Sequence, residues 1–514
     1  MNKLLDVFLQ FERFFIISIG LIIILSGCQD KTMFNKENLL NYYNQPADSL
    51  KRKAVLFLLD NMSNHSSQVP FFQHFKNGER VVLEIDSIEN DSILLDILNR
   101  RHLVPFYKIV LDDKILDNNI LINNIDLAFQ SWNKYIWADN IPEDIFFNYL
   151  LPYKIYGEKP EYWRSILQTQ LMNDIELIDY FKDTTILLNE KSLLDQLYED
   201  IVLRNVDKKI IYSPNPSTLT QFPALSELML FKHSDCIGQS YMHVMVLRSI
   251  GIPATIDIVP LWGSKNSGHV TDVFWDSKLN KFRTVSGREL VSPNKFPPSK
   301  VFRYSYQKQN IWTDTIKPII GLQPFLLGYL EHDNWLDVTH EHTLTYDIEY
   351  QIDEPSTSKF TYICVFNYGK WEPVFWGKLD EDKMAHFKNM SINILYRIAV
   401  PQENDFKIVS DIFSIDSLGN QVYYQANTLN KTTLRLQKVN EGSRSWLEKG
   451  KRYGLYFFNS SMEWELVEEL PCLKDSILVF DNAPSNALYR ILEHRGGGRL
   501  ERSFTYQNNI QKFY

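Results

Sequence analysis

Cys236, in the run Ser234-Asp235-Cys236-Ile237-Gly238-Gln239-Ser240, and the later His269 are the residues whose types and spacing could do chemistry. A helical pattern follows Cys236 to Ile250, which places the thiol on a first turn. Unpaired N–H groups and the positive end of the helix dipole there favour thiolate over thiol and so create a nucleophile. The implied chemistry is nucleophilic attack by sulfur, with a histidine brought within hydrogen-bond reach of it shuttling the proton.

Several elements must position this pair. On the helix Gly238 and Ser240 are small enough for close packing, Val244, Leu247 and Ile250 supply apolar bulk, and Gly251-Ile252-Pro253 ends it. Ala254 to Val259 is β-rich, Gly263 to Gly268 reads as a flexible loop, and His269 to Trp275 alternates as a half-buried strand does. A turn at Asp276 to Asn280 sends Phe282 to Ser286 back antiparallel. Upstream, Ser192 to Val202 is amphipathic, and Pro214, Pro216 and Pro223 mark an extended loop suited to a cleft wall. Asp272 and Asp276 lie an odd number of residues along the strand from His269, so both should point to the opposite face.

A cysteine opening a helix that runs to Leu247-Arg248-Ser249-Ile250-Gly251-Ile252-Pro253-Ala254, followed by Gly268-His269 on a strand, resembles the transglutaminase-like superfamily. The resemblance implies a papain-like α+β core in which Cys236 is the nucleophile and His269 the base. It places the third, acidic member where Ser286 stands, so Ser286 is the replacement for that acid. A serine can orient the imidazole but cannot stabilise imidazolium as a carboxylate does. The Cys236 N–H would help hold the oxyanion, and Gln239 is the candidate pocket residue. More widely, the stretches Lys53 to Met62, Leu150 to Arg164, Asp337 to Thr339, Trp371 to Val374 and Phe480 to Tyr489 resemble secreted transglutaminase-like lipoproteins of the Bacteroidetes type.

The N-terminus agrees with export. Lys3 and Arg13 precede an apolar run, Phe14 to Leu25, too short to span a bilayer, and Leu25-Ser26-Gly27-Cys28 resembles a lipobox. That implies cleavage before Cys28, lipidation of its thiol, and a cell-envelope protein tethered to membrane through its N-terminal lipid, on the outer membrane or cell surface and facing periplasm or exterior. The remaining cysteines, Cys364 and Cys472, make no disulfide framework and fall in different predicted domains, which argues against a bridge. Acidic residues exceed basic ones, 63 to 54, without long runs of either sign, so no basic surface advertises nucleic acid.

With 514 residues, the chain is too long for one core. The expected organisation is multidomain α+β: a signal peptide over 1–27, a mainly helical domain over 28–165, the transglutaminase-like core over 166–310, a β-sandwich-like domain over 335–430, and a small β domain over 431–514. In the helical part, Arg80 to Ile88 is a weak strand candidate. His340-Glu341-His342 could place two imidazoles on one strand face, but no further ligands follow at a known spacing, and neither a metal nor a cofactor is expected. Gly496-Gly497-Gly498 reads as a hairpin turn, and Trp371 and Trp376 could stack on sugars or pack in a core. Two functions follow. One is a surface-anchored cysteine acyl transferase or amidase/peptidase acting on a protein, peptide or glycan-linked substrate. The other is a degenerate core that binds glycan or protein without catalysis.

Overall fold

A computed structural model describes residues 34–173, 193–203, 206, 209–285, 296–309, 334–353, 358–402, 405–441, 445–473, 477–495 and 501–514. The protein is mixed α+β, and its centre is the Cys236–Ser249 helix. From Ser240 to Ser249 every residue of that helix is buried, as expected of a segment that is apolar on all sides rather than along one stripe. One side packs on a five-stranded antiparallel sheet ordered Trp335–Asp337, Phe302–Tyr304, Ala254–Val259, His269–Asp276, Lys281–Arg283. Another packs on the helices Trp163–Asn173 and Asn118–Lys134.

Those two helices, with the turn after the second, also hold the far end of the central helix. Its last carbonyls have no intrahelical partners and need donors. Arg164 donates to the Arg248 carbonyl at 2.6 Å, Gln168 to Ser249 at 2.8 Å, and Trp137 to Ile250 at 2.8 Å. Arg248 folds back onto the Ala254 carbonyl at 2.8 Å and the Lys154 carbonyl at 2.9 Å. At Gly251 the backbone has φ +84° and a Cβ would lie 2.7 Å from the Ser131 carbonyl oxygen, so only glycine fits. The Arg-x-x-Gly-Ile-Pro-Ala pattern is thus the sequence record of a buried helix exit.

The N-terminal part is less helical than expected. Its helices include Ser49–Met62, Asp91–Arg101 and Asn118–Lys134. A three-stranded antiparallel sheet joins them, with Ser66–His74 between Arg80–Val81 and Leu103–Leu111. Only Arg80–Val81 of the Arg80 to Ile88 candidate pairs, and Ile85–Ser87 is a 3₁₀ turn. The strand Ser66–His74 escaped notice because Pro70 and its polar neighbours conceal the alternation.

Beyond residue 344 the chain is all β among the described residues. Strands between Thr345 and Tyr423 form one eight-stranded antiparallel sheet. Its inner residues, Tyr362, Phe375 and Ile398 among them, belong to the same apolar core as the central helix. Trp371 and Trp376 pack against that core. The last strands form a five-stranded sheet and a two-stranded pair around a separate core containing Leu434, Leu455, Phe480 and Phe504. Cys364 and Cys472 are buried free thiols. His340-Glu341-His342 is not on a strand. It lies in the short helix Thr339–His342, with Glu341 on Arg303 at 2.8 Å and His342 on Asp257 at 2.8 Å. The Gly496 to Gly498 turn lies outside the described residues.

Candidate active site

Asp235 is the N-cap of the central helix, accepting from the amides of Ile237 at 2.9 Å and Gly238 at 3.3 Å. Cys236 therefore takes the first helical position, half-buried. Gly238 is obligatory one turn in: a Cβ there would sit 1.8 Å from Ser234 Oγ and 2.8 Å from Leu228 Cδ2. The same cap opposes the expected thiolate. Burial pushes the Cys236 thiol up; the Val270 amide and the N–H groups of Cys236 and Ile237 pull it down, while the Asp235 carboxylate pushes it up again. The net direction is upward, against the expectation of a dipole-depressed thiol: burial is the largest cause, and the capping carboxylate adds a like charge.

His269 begins the strand His269–Asp276, paired with Val259. The preceding loop was expected to be flexible, but it is tied down. Asn367 accepts from the Ser267 amide at 3.0 Å and donates to the Trp262 carbonyl at 3.0 Å. Arg502, from the C-terminal β region, reaches the Gly263 carbonyl at 2.5 Å and Asn266 Oδ1 at 3.1 Å. The Trp262 ring lies 6.2 Å from the imidazole, with Lys265 Nζ over that indole at 4.1 Å. Burial first and Lys265 second lower the His269 pKa, and Asp272 works the other way. Thiol and imidazole both rest neutral by these directions, which suits a base that takes the proton only as sulfur attacks.

Cys236 and His269 line one cleft of about 610 Å³. Its wall is aromatic: Tyr156 lies 4.9 Å from Phe222, 5.1 Å from Tyr304 and 5.3 Å from Trp335, ring centre to ring centre. The buried Glu158 carboxylate accepts from the Ile155 and Tyr156 amides and so holds the backbone that carries Tyr156. A second, smaller cavity of about 280 Å³ also has Cys236, His269 and Val270 in its lining, and it is polar. Within it Asp272 Oδ2 accepts from the Tyr198 hydroxyl at 2.6 Å, and Oδ1 lies 2.9 Å from His243 Nδ1. Ser240, also on this side, donates to the Val270 carbonyl at 3.3 Å.

No family model matches the chain, and no curated protein matches it. Among solved structures it is similar to red sea bream transglutaminase, at 8% identity over 85% of this chain and 76% of that one. The TM-score is 0.16, too low to carry an argument about fold or function.

Of the sequence-derived candidates, Cys236 and His269 come together at the same cleft. Gln239 does not face the aromatic cleft; it lines the smaller cavity, and its amide donates to the Ile210 carbonyl at 3.4 Å. Ser286 and Cys28 lie outside the described residues. Asp272 is held by Tyr198 and His243, and Asp276 pairs with Arg283 at 2.7 Å, so neither carboxylate is hydrogen-bonded to His269. Sequence reasoning missed Tyr198 and His243. The available signal was helical spacing, since Cys236, Gln239, Ser240 and His243 share one face of the central helix.

Proposed function

We propose that this protein is a cysteine-dependent acyl transferase or hydrolase of transglutaminase-like design, acting on a carboxamide or peptide bond of an envelope substrate and tethered through a lipid on Cys28. The reading is supported above all by one relationship: a half-buried thiol at a helix N-terminus shares an open cleft with a histidine. Sulfur attacks the carbonyl carbon while its proton passes to His269, and the Cys236 N–H stabilises the oxyanion. Collapse breaks the C–N bond as His269 returns the proton to the leaving nitrogen. Water or an amine then attacks the thioester, giving its proton to His269, and the C–S bond breaks. An aromatic cleft wall favours an acyl group flanked by apolar or ring-bearing residues.

The experiment is intact-mass detection of an acyl adduct on Cys236 after incubation with peptides bearing carboxamide side chains, alongside Cys236→Ala and His269→Ala. An adduct lost in both variants supports the enzyme. If no adduct forms with a broad donor set and activity is absent, the second reading takes its place: a core retained for binding, motivated by the upward-shifted thiol and by an imidazole with no hydrogen-bonded carboxylate among the described residues.

A further inference from the structure

We infer that Asp272 is a positioning residue for the His269 imidazolium, supplying across the small cavity the negative charge that a carboxylate on the ring would otherwise bring. The inference rests on the Cys236–His269 reading above and deepens it. Asp272 and His269 lie on one strand and both line the same 280 Å³ cavity, although strand parity keeps them from hydrogen bonding. The carboxylate is buried, and its two oxygens are held separately, by the Tyr198 hydroxyl at 2.6 Å and by His243 Nδ1 at 2.9 Å. His243 Nδ1 also lies 3.0 Å from the Tyr198 hydroxyl, so the two side chains and the carboxylate form one buried cluster.

Burial alone would raise the Asp272 pKa, but His243 and Tyr198 overturn that and hold it below the usual carboxylate range. A buried ionised group acts over a longer distance than one at the surface. Asp272 works to raise His269. Among the described residues, the charged or titratable groups lining the two cavities with His269 include Cys236 and His243 from the central helix, Asp235 at its cap, Tyr198 from the helix beside it, Asp272 on its own strand, and Tyr156, Tyr241 and Tyr304 on the cleft wall, with Lys265 on the preceding loop. Tyr212 lines the small cavity, and His65 lies across the large cleft. Lys265 works against imidazolium, so Asp272 is the carboxylate that offsets it.

A double-mutant cycle on the full-length chain tests this, reading the rate of Cys236 alkylation by iodoacetamide against pH. Asp272→Asn should slow alkylation at pH 7 about tenfold, and should slow it no further when His269→Ala is already present. Asp272→Ser serves as the neutral variant if the asparagine protein does not fold. A rate in the neutral variant equal to the parent's, or an equal loss with and without His269, overturns the inference. If His269→Ala itself matches the parent, the base reading falls along with this one; if only the neutral variant matches, the base reading stands.

Discussion

His243 Nδ1 lies 2.9 Å from Asp272 Oδ1 on the polar side of the central helix, in a cavity whose lining also includes Cys236 and His269. The relationship divides the site in two. An aromatic cleft on one side suits an acyl chain, and a polar cavity on the other suits water or a hydrogen-bonding acceptor.

The pH dependence of thiol reactivity follows from the directions at the pair. Burial raises the Cys236 pKa and lowers that of His269, so the resting pair is thiol and imidazole. Iodoacetamide should therefore label Cys236 more slowly than a free thiol of pKa about 8.5 at neutral pH, with the rate still climbing above that value. His269→Ala should cost about a hundredfold at pH 7. Rapid labelling at pH 6 would contradict the neutral resting pair.

Gly238→Ala should damage both stability and reactivity. The added methyl meets Ser234 Oγ and Leu228 Cδ2 at distances no side chain tolerates, so the helix start must shift. A loss of about 1–3 kcal/mol in denaturant unfolding is expected, with Cys236 labelling altered in the same protein. A variant as stable as the parent would mean that the helix start is not held against Ser234.

Arg164→Lys should be nearly as harmful as Arg164→Ala. The buried guanidinium bonds the Arg248 carbonyl at 2.6 Å, the Leu150 carbonyl at 2.7 Å and Asn124 at 3.2 Å, and one ammonium cannot reach all three directions. Either change should cost about 3 kcal/mol or more, because buried carbonyls lose their donors. Lysine restoring parental stability in urea unfolding would refute the fork geometry.

Acid stability should carry the signature of Asp257. Burial would raise this carboxyl, but Arg303, bound through both oxygens at 2.9 Å, and His342 overturn that and hold it below its ordinary value. A depressed folded-state pKa stabilises fully above the unfolded value of about 3.9 and is lost as pH falls through the folded one. Asp257→Asn should thus be less stable than the parent at pH 7 by about 3–5 kcal/mol, with the gap narrowing below about pH 4. Unfolding curves at pH 7 and at pH 3 with an undiminished gap would exclude the ion pair as its source.

Much of this organisation was legible in the sequence where it is local. Helix periodicity, the Gly251-Ile252-Pro253 exit and the alternation from His269 located the elements that carry the nucleophile and base, because those signals act over a few residues. Parity along one strand likewise told that Asp272 and Asp276 would not bond His269. Only the tertiary structure decided what surrounds them. Arg502 pinning the loop before His269, Arg164 capping the central helix, and Tyr198 and His243 gripping Asp272 join residues far apart in the chain. The thiol's direction was decided there too: the helix start is a local property, but burial and the like charge of Asp235 beside the sulfur belong to the packed whole, and they carry the thiol upward against the amides that lower it.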